Sequence, residues 1–282
     1  IMQLRSCKCV SSKRVFCECT FEKQREMKNN ELQNSGRIML ITGATSGFGE
    51  AIAHLAASSG YHLIICGRRE GRLNALRKSL GACVLKSLAF DVCDEPATRK
   101  ALFELADTMV PHVLINNAGL AVGTGSIDVG VYDDWNRMID TNIKGLLHVT
   151  RELTPRMQAG SRVINMGSVA GKQAYPGGAV YNATKFAVDG LTKAMRMDLL
   201  PRGIQVAQVA PGAANTEFSL VRFKGDEQKA KNVYTGFEPL SAVDVAEAVM
   251  FIADRPPHVS IQDILIMPAA QASVHHLLRN NS

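Results

Sequence analysis

From residue 38 onward the chain alternates short apolar runs with stretches of helical spacing, and no other feature constrains its fold so strongly. Runs suited to strands buried on both faces fall at 38–42, 61–66, 83–90, 113–116, 162–165, 204–210 and 263–267. Helical spacing fills the gaps at 49–58, 72–80, 97–109, 134–157, 179–200 and 242–253. Parallel strands need long crossovers, and a helix in each gap supplies them. The pattern predicts one α/β domain: a doubly wound, seven-stranded parallel sheet with helices on both faces. The least regular part, 217–239, is polar and mixed. A loop that long in a compact domain is usually a lid or a binding segment.

Composition sets outer limits. Of 282 residues, 46% are hydrophobic and 21% charged, enough apolar material for a sizeable core. No apolar run approaches the ~18 residues of a membrane span. The formal charge is +6. Residues 1–38 carry much of it, with eight lysines and arginines against four glutamates, so the main domain has no nucleic-acid-binding character. The same segment holds Cys7, Cys9, Cys17 and Cys19 in C-x-C spacing, which is not the usual zinc-ligand pattern. It lacks both a secretory core and the acid-poor composition of a mitochondrial presequence. It is expected to be a disordered or non-native extension to a domain at 39–282, dispensable for activity. Cys66, Cys83 and Cys93 fit free thiols of a reducing, cytoplasmic setting. His275 and His276 are adjacent, share no helix face and lack a third ligand, so no metal is expected.

The first strand runs into Gly43-Ala44-Thr45-Ser46-Gly47-Phe48, then a helix. Glycines let the backbone turn and approach a pyrophosphate, and the helix N-terminus offers free N–H groups. This is a dinucleotide site in a Rossmann arrangement. After the second strand stand Arg68 and Arg69, where an NAD site would place a carboxylate. Two guanidiniums suit a 2′-phosphate, so NADP is the expected cofactor.

Tyr181 and Lys185, at i and i+4, share one helix face. A free tyrosine titrates near ~10, and a nearby ammonium favours its phenolate. An oxidised nicotinamide adds a second positive charge. Such a tyrosine exchanges a proton with an alcohol oxygen while hydride moves. The pair alone is common on amphipathic helices. Ser168, at the end of the fifth strand, is placed to hold a substrate oxygen, although a turn or cap serine is the plain alternative. Asn142 sits in a helical stretch, an indifferent position for asparagine unless it acts, for example by holding a water linked to Lys185. Asn117, after the fourth strand, suits the cofactor's ribose.

Together, Thr42–Gly49, Asn116–Gly119, Asn142, Ser168, Tyr181, Lys185 and Pro211-Gly212-x-x-x-Thr216 resemble, in order and spacing, the classical short-chain dehydrogenase/reductase family. The resemblance implies Tyr181 as acid/base, Lys185 as its pKa modulator and ribose ligand, Ser168 on the substrate oxygen and Asn142 in the proton relay. It implies that Asp91 and Val92 contact the adenine, and that Pro211, Gly212 and Thr216 cover the nicotinamide amide. Thr42–Glu50, Gly67-Arg68-Arg69, Asn117–Ala121 and Thr216–Asp226 look like its NADP-dependent 3-hydroxy acid dehydrogenase branch, which acts on serine, L-allo-threonine and malonic semialdehyde. The Pro211-to-Thr216 interval is one residue shorter than that branch's pattern.

A 3-hydroxy acid needs a cationic partner, and Arg222 in the lid is the expected carboxylate anchor, with Lys224 nearby. An ordinary surface arginine is the plain alternative. Another small carbonyl substrate (a ketone, pterin or 3-oxoacyl thioester) stays open, as does a non-catalytic nucleotide-binding regulator. The family usually assembles through its two long helices, here 134–157 and 179–200, so a homotetramer is expected.

Overall fold

A computed structural model describes residues 36–280. The N-terminal cysteine pairs lie outside the described residues, as does all of the expected extension but its last three residues. Seven strands form one parallel sheet: β1 (Ile38–Thr42), β2 (His62–Gly67), β3 (Val84–Ala89), β4 (Val113–Asn116), β5 (Arg162–Met166), β6 (Gln205–Pro211) and β7 (Asp263–Ile266). Their spatial order is β3-β2-β1-β4-β5-β6-β7, as a doubly wound sheet requires. Pairing runs in register from Ile38 opposite His62 to Thr42 opposite Cys66.

The two faces follow from the two-residue period of a strand. Met39, Ile41, Leu63 and Ile65 face one layer, packed on α1 (Gly47–Ser58), α2 (Glu70–Leu80) and the last helix, Ala242–Ala253. Ile38, Leu40, Ile64 and Cys66 face the other, beneath α3 (Glu95–Phe103) and the long central helices. Met39, Leu40 and Ile41 are fully buried, so truncating Leu40 or Ile41 to alanine costs about 2–5 kcal/mol. That rigid floor fixes the strand ends from which the site is built. Among the described residues no helix is long and apolar enough to cross a membrane.

Two differences from the sequence expectation matter. The expected helix 134–157 is α4 (Tyr132–Ile139), a π-helical turn (Asp140–Gly145) and α5 (Leu146–Leu153). The wide turn falls on Asn142, and such turns concentrate at functional sites. The expected loop after β6 carries two short helices. After α6 (Ala179–Leu199) come α7 (Glu217–Arg222) and α8 (Glu227–Asn232), and Ala242–Ala253 is α9. Thr216 Oγ1 accepts from the Phe218 N–H, and Asp226 Oδ1 accepts from the Lys229 N–H, so each short helix has its own N-cap.

Candidate active site

β1 and β4 are neighbours whose crossovers leave toward opposite faces, which opens a crevice beyond their C-terminal ends. Gly43 turns there with φ +65°, and a Cβ would meet Ala118 Cα at 3.0 Å. Asn117 Nδ2 braces the turn by donating to the carbonyls of Thr42 (2.8 Å) and Gly43 (3.1 Å). Ser46 caps α1 without a side-chain bond to its first turn, whose N–H groups remain available to an anion. Gly43, Thr45, Ser46, Gly47, Phe48, Arg68, Arg69, Asp91, Val92, Asn117, Tyr181, Lys185 and Thr216 line one cleft of about 280 Å³. Three expected cofactor residues do not line it. Ala44 is fully buried beneath the turn. Pro211 ends β6, and the Gly212 N–H donates to the Ile266 carbonyl.

The helix expected at 72 begins at Glu70, so Arg69 is its N-cap. Arg69 donates to Thr45 Oγ1 (3.0 Å) and Ser46 Oγ (2.7 Å), which holds it over the glycine turn. Arg68 lies 3.4 Å from Asp91. A cation at a helix N-cap is electrostatically misplaced unless an anion joins it. Glu217, at the start of the lid, partly fills that role: it pairs with Arg72 at 2.7 Å and Arg69 at 3.2 Å, and those arginines hold its carboxyl below the usual range.

Tyr181 and Lys185 are both buried, with the ammonium 6.0 Å from the phenol ring centre. Lys185 Nζ donates to the Met166 carbonyl at 2.8 Å, and burial pushes its pKa down to about 8. Burial pushes Tyr181 up; Tyr175 adds to the rise, while Ser168 and Arg222 oppose it. In the chain alone, desolvation of the phenolate sets the direction of the Tyr181 shift. Ser168 is a helix cap that stands beside Tyr181. Its Oγ accepts from the Ala170 N–H at 3.1 Å, and its hydroxyl stands near enough to Tyr181 to favour the phenolate. Asn142 is a brace: its amide accepts from the Leu120 N–H and donates to the Leu120 carbonyl and Thr184 Oγ1. Thr184 in turn donates to the Tyr181 carbonyl.

A second cleft, also about 280 Å³, opens on the other side of Tyr181 and reaches Arg222. The arginine guanidinium lies 5.2 Å from the Tyr175 ring centre. Among the described residues, Arg222 Nε and the Tyr175 hydroxyl are buried with no hydrogen-bond partner. Buried orphaned donors cost stability, and the two side by side at a cleft make a candidate ligand position, where the guanidinium also favours the ionised Tyr175. Sequence reasoning missed Tyr175. Its one signal was an aromatic six residues before Tyr181, next to Pro176-Gly177-Gly178. His275 Nε2 donates to the Ala174 carbonyl at the surface, and no group of metal ligands occurs among the described residues.

Residues 37–226 match the short chain dehydrogenase family. The chain belongs to that family. It is 44% identical over 240 residues to sulfoacetaldehyde reductase 2 of Chromohalobacter salexigens, covering 83% of this chain and 95% of the relative. It is 42% identical over 246 residues to the NADP-dependent 3-hydroxy acid dehydrogenase YdfG of Salmonella typhi, covering 84% and 99%. The closed form of a serine dehydrogenase complexed with NADP+ superposes with a TM-score of 0.81 at 38% identity, covering 86% of this chain and all of the other. These similarities agree with the branch that the glycine turn and lid motifs resemble, and the chain is an oxidoreductase acting on CH–OH groups.

Proposed function

We propose that this enzyme moves hydride between NADP(H) and C3 of small 3-hydroxy acids such as serine, L-allo-threonine and 3-hydroxypropionate. One observation carries the substrate class: Arg222, whose Nε is buried without a hydrogen-bond partner among the described residues, lines the cleft that ends on Tyr181, with the Tyr175 ring centre 5.2 Å from its guanidinium. A bidentate guanidinium matches a carboxylate, and Arg222 and Tyr181 line the same cleft. The NADP relatives and Arg68 and Arg69 support the phosphorylated cofactor.

Bound NADP supplies the hydride acceptor in alcohol oxidation and, reduced, the hydride donor in carbonyl reduction. The chain's residues handle the oxygen and its proton. Ser168 donates to the substrate oxygen. Tyr181 takes the hydroxyl proton as C3 loses hydride and returns it in the reverse reaction. The Lys185 ammonium stabilises the phenolate through this exchange. Asn142 supports the relay by holding the Leu120 loop against α6. A sulfonate offers the same anchor chemistry as a carboxylate, so sulfoacetaldehyde, named for one relative, belongs among the candidate substrates.

Assays with NADPH or NADP+ across serine, allo-threonine, malonic semialdehyde, sulfoacetaldehyde and an uncharged ketone, with Tyr181→Phe as control, test the proposal. Acid-bearing substrates should be preferred. Equal efficiency on the uncharged ketone or on a 3-oxoacyl thioester overturns it.

A further inference from the structure

Lys224 is the one residue other than glycine with positive φ among the described residues, at +53°. That left-handed residue ends α7: the Lys224 N–H donates to the Val221 carbonyl at 3.1 Å and the Gly225 N–H to the Leu220 carbonyl at 2.9 Å, which turns the chain and aims the lysine side chain away from the helix. Lys224 Nζ lies 2.7 Å from Asp134 Oδ2, and Lys224 is its one ion-pair partner among the described residues. Asp134 is 7% exposed in the first turn of α4. The neighbouring wall is shaped to that carboxylate: Gly123 has φ +74°, and a Cβ there would stand 2.6 Å from Asp134 Oδ2. The Gly123 N–H also donates to the Arg222 carbonyl at 2.9 Å.

One wall therefore grips the lid at two points two residues apart, the Arg222 carbonyl and the Lys224 ammonium. The other end of α7 is held by Glu217 on Arg69 and Arg72. Between these grips the Arg222 side chain projects to Tyr175. We propose that Lys224 and Asp134 are positioning residues, whose ion pair seats α7 so that Arg222 meets the substrate's acid group. This rests on the reading of Arg222 given above. Lys224 itself is half exposed and spent on Asp134, so it acts through Arg222 and not on the substrate.

The test uses the full chain, with kinetics on serine or 3-hydroxypropionate and NADPH affinity by fluorescence. Lys224→Met and Asp134→Asn should each raise KM about ten-fold, the double variant no further, with kcat less affected and NADPH affinity held within about two-fold. Lys224→Arg should retain KM within about three-fold. A lowered KM in Asp134→Asn would mean that the freed lysine binds substrate directly, and it overturns the proposal. So does an unchanged KM in Lys224→Met when Arg222→Met raises it. If Arg222→Met leaves KM unchanged, the anchor reading itself fails. Hydrogen exchange of 119–126 and 217–226 in the NADPH complex decides the pair's role without any substrate. Lys224→Met should accelerate exchange in both segments, and unchanged exchange overturns the proposal.

Discussion

The Arg222 guanidinium lies 5.2 Å from the Tyr175 ring centre, and among the described residues Arg222 Nε and the Tyr175 hydroxyl are buried without hydrogen-bond partners beside Tyr181. A site left in this state awaits an acceptor. Arg222→Met should raise KM for a 3-hydroxy acid by about 10–100-fold, and Tyr175→Phe by less, because a charge-assisted bond outweighs a neutral one. Neither change should lower the melting temperature of the cofactor-free chain, since each removes an unsatisfied buried donor. Steady-state kinetics and calorimetry on the same samples check both. An Arg222→Met enzyme with an unaltered KM would show that the acid group binds elsewhere.

Cofactor choice turns on Arg69. Its guanidinium is shared among Thr45, Ser46 and Glu217, and a 2′-phosphate must compete with the Glu217 carboxylate. Arg69→Ala should cost NADPH at least about ten-fold more affinity than NADH. Glu217→Gln should tighten NADPH by about three-fold at low salt, with the gain fading as salt screens these half-exposed charges. Titrations of both cofactors at two ionic strengths measure this. An unchanged NADPH-to-NADH ratio in Arg69→Ala would place the phosphate away from α2.

The sheet was legible because its strands are buried on both faces. Runs such as Met39-Leu40-Ile41 and Leu63-Ile64-Ile65 have no polar alternation to misread. The placement of Tyr181 and Lys185 together was legible because i, i+4 geometry on a helix is local. What stayed hidden depends on tertiary contact. Tyr175 and Arg222 are 47 positions apart and meet only through the lid. The π turn at Asn142 replaces helix with helix, so periodicity barely registers it. The upward push on Tyr181 comes from burial, a property of the packed site that the Tyr-x-x-x-Lys spacing does not contain. The capped helices α7 and α8 were readable in principle, from Thr216 and Asp226, but each is too short for a hydrophobic period.

Assembly is open to a direct test. Phe186 on α6 is 45% exposed and Leu147 on α5 is 38% exposed, both on the central helices through which a homotetramer is expected to form. Aromatic and aliphatic anchors of this kind dominate subunit contacts. Sedimentation of the wild-type chain should give a tetramer, and Phe186→Asp with Leu147→Asp should give smaller species. A wild-type monomer at micromolar concentration refutes the expectation.

Lys185 links activity to stability with a sign that can be worked out. Burial lowers its pKa from its ordinary 10.5 to about 8, so below pH 8 the folded chain carries a buried ammonium at a cost of roughly 3 kcal/mol, offset in part by the Met166 carbonyl. Between about pH 8 and 10.5 the unfolded chain holds this proton and the folded chain does not. Stability from this group therefore rises with pH across that window. Lys185→Met should abolish turnover yet stabilise the cofactor-free chain at pH 7 by about 1–2 kcal/mol, after the loss of the Met166 bond. The advantage should shrink steadily as pH climbs from 8 toward 10, because the wild-type lysine then sheds its charge. Denaturant midpoints of both proteins across that range measure the gap. A gap that is constant or widens with pH would mean that the ammonium is better solvated in the fold than its burial implies.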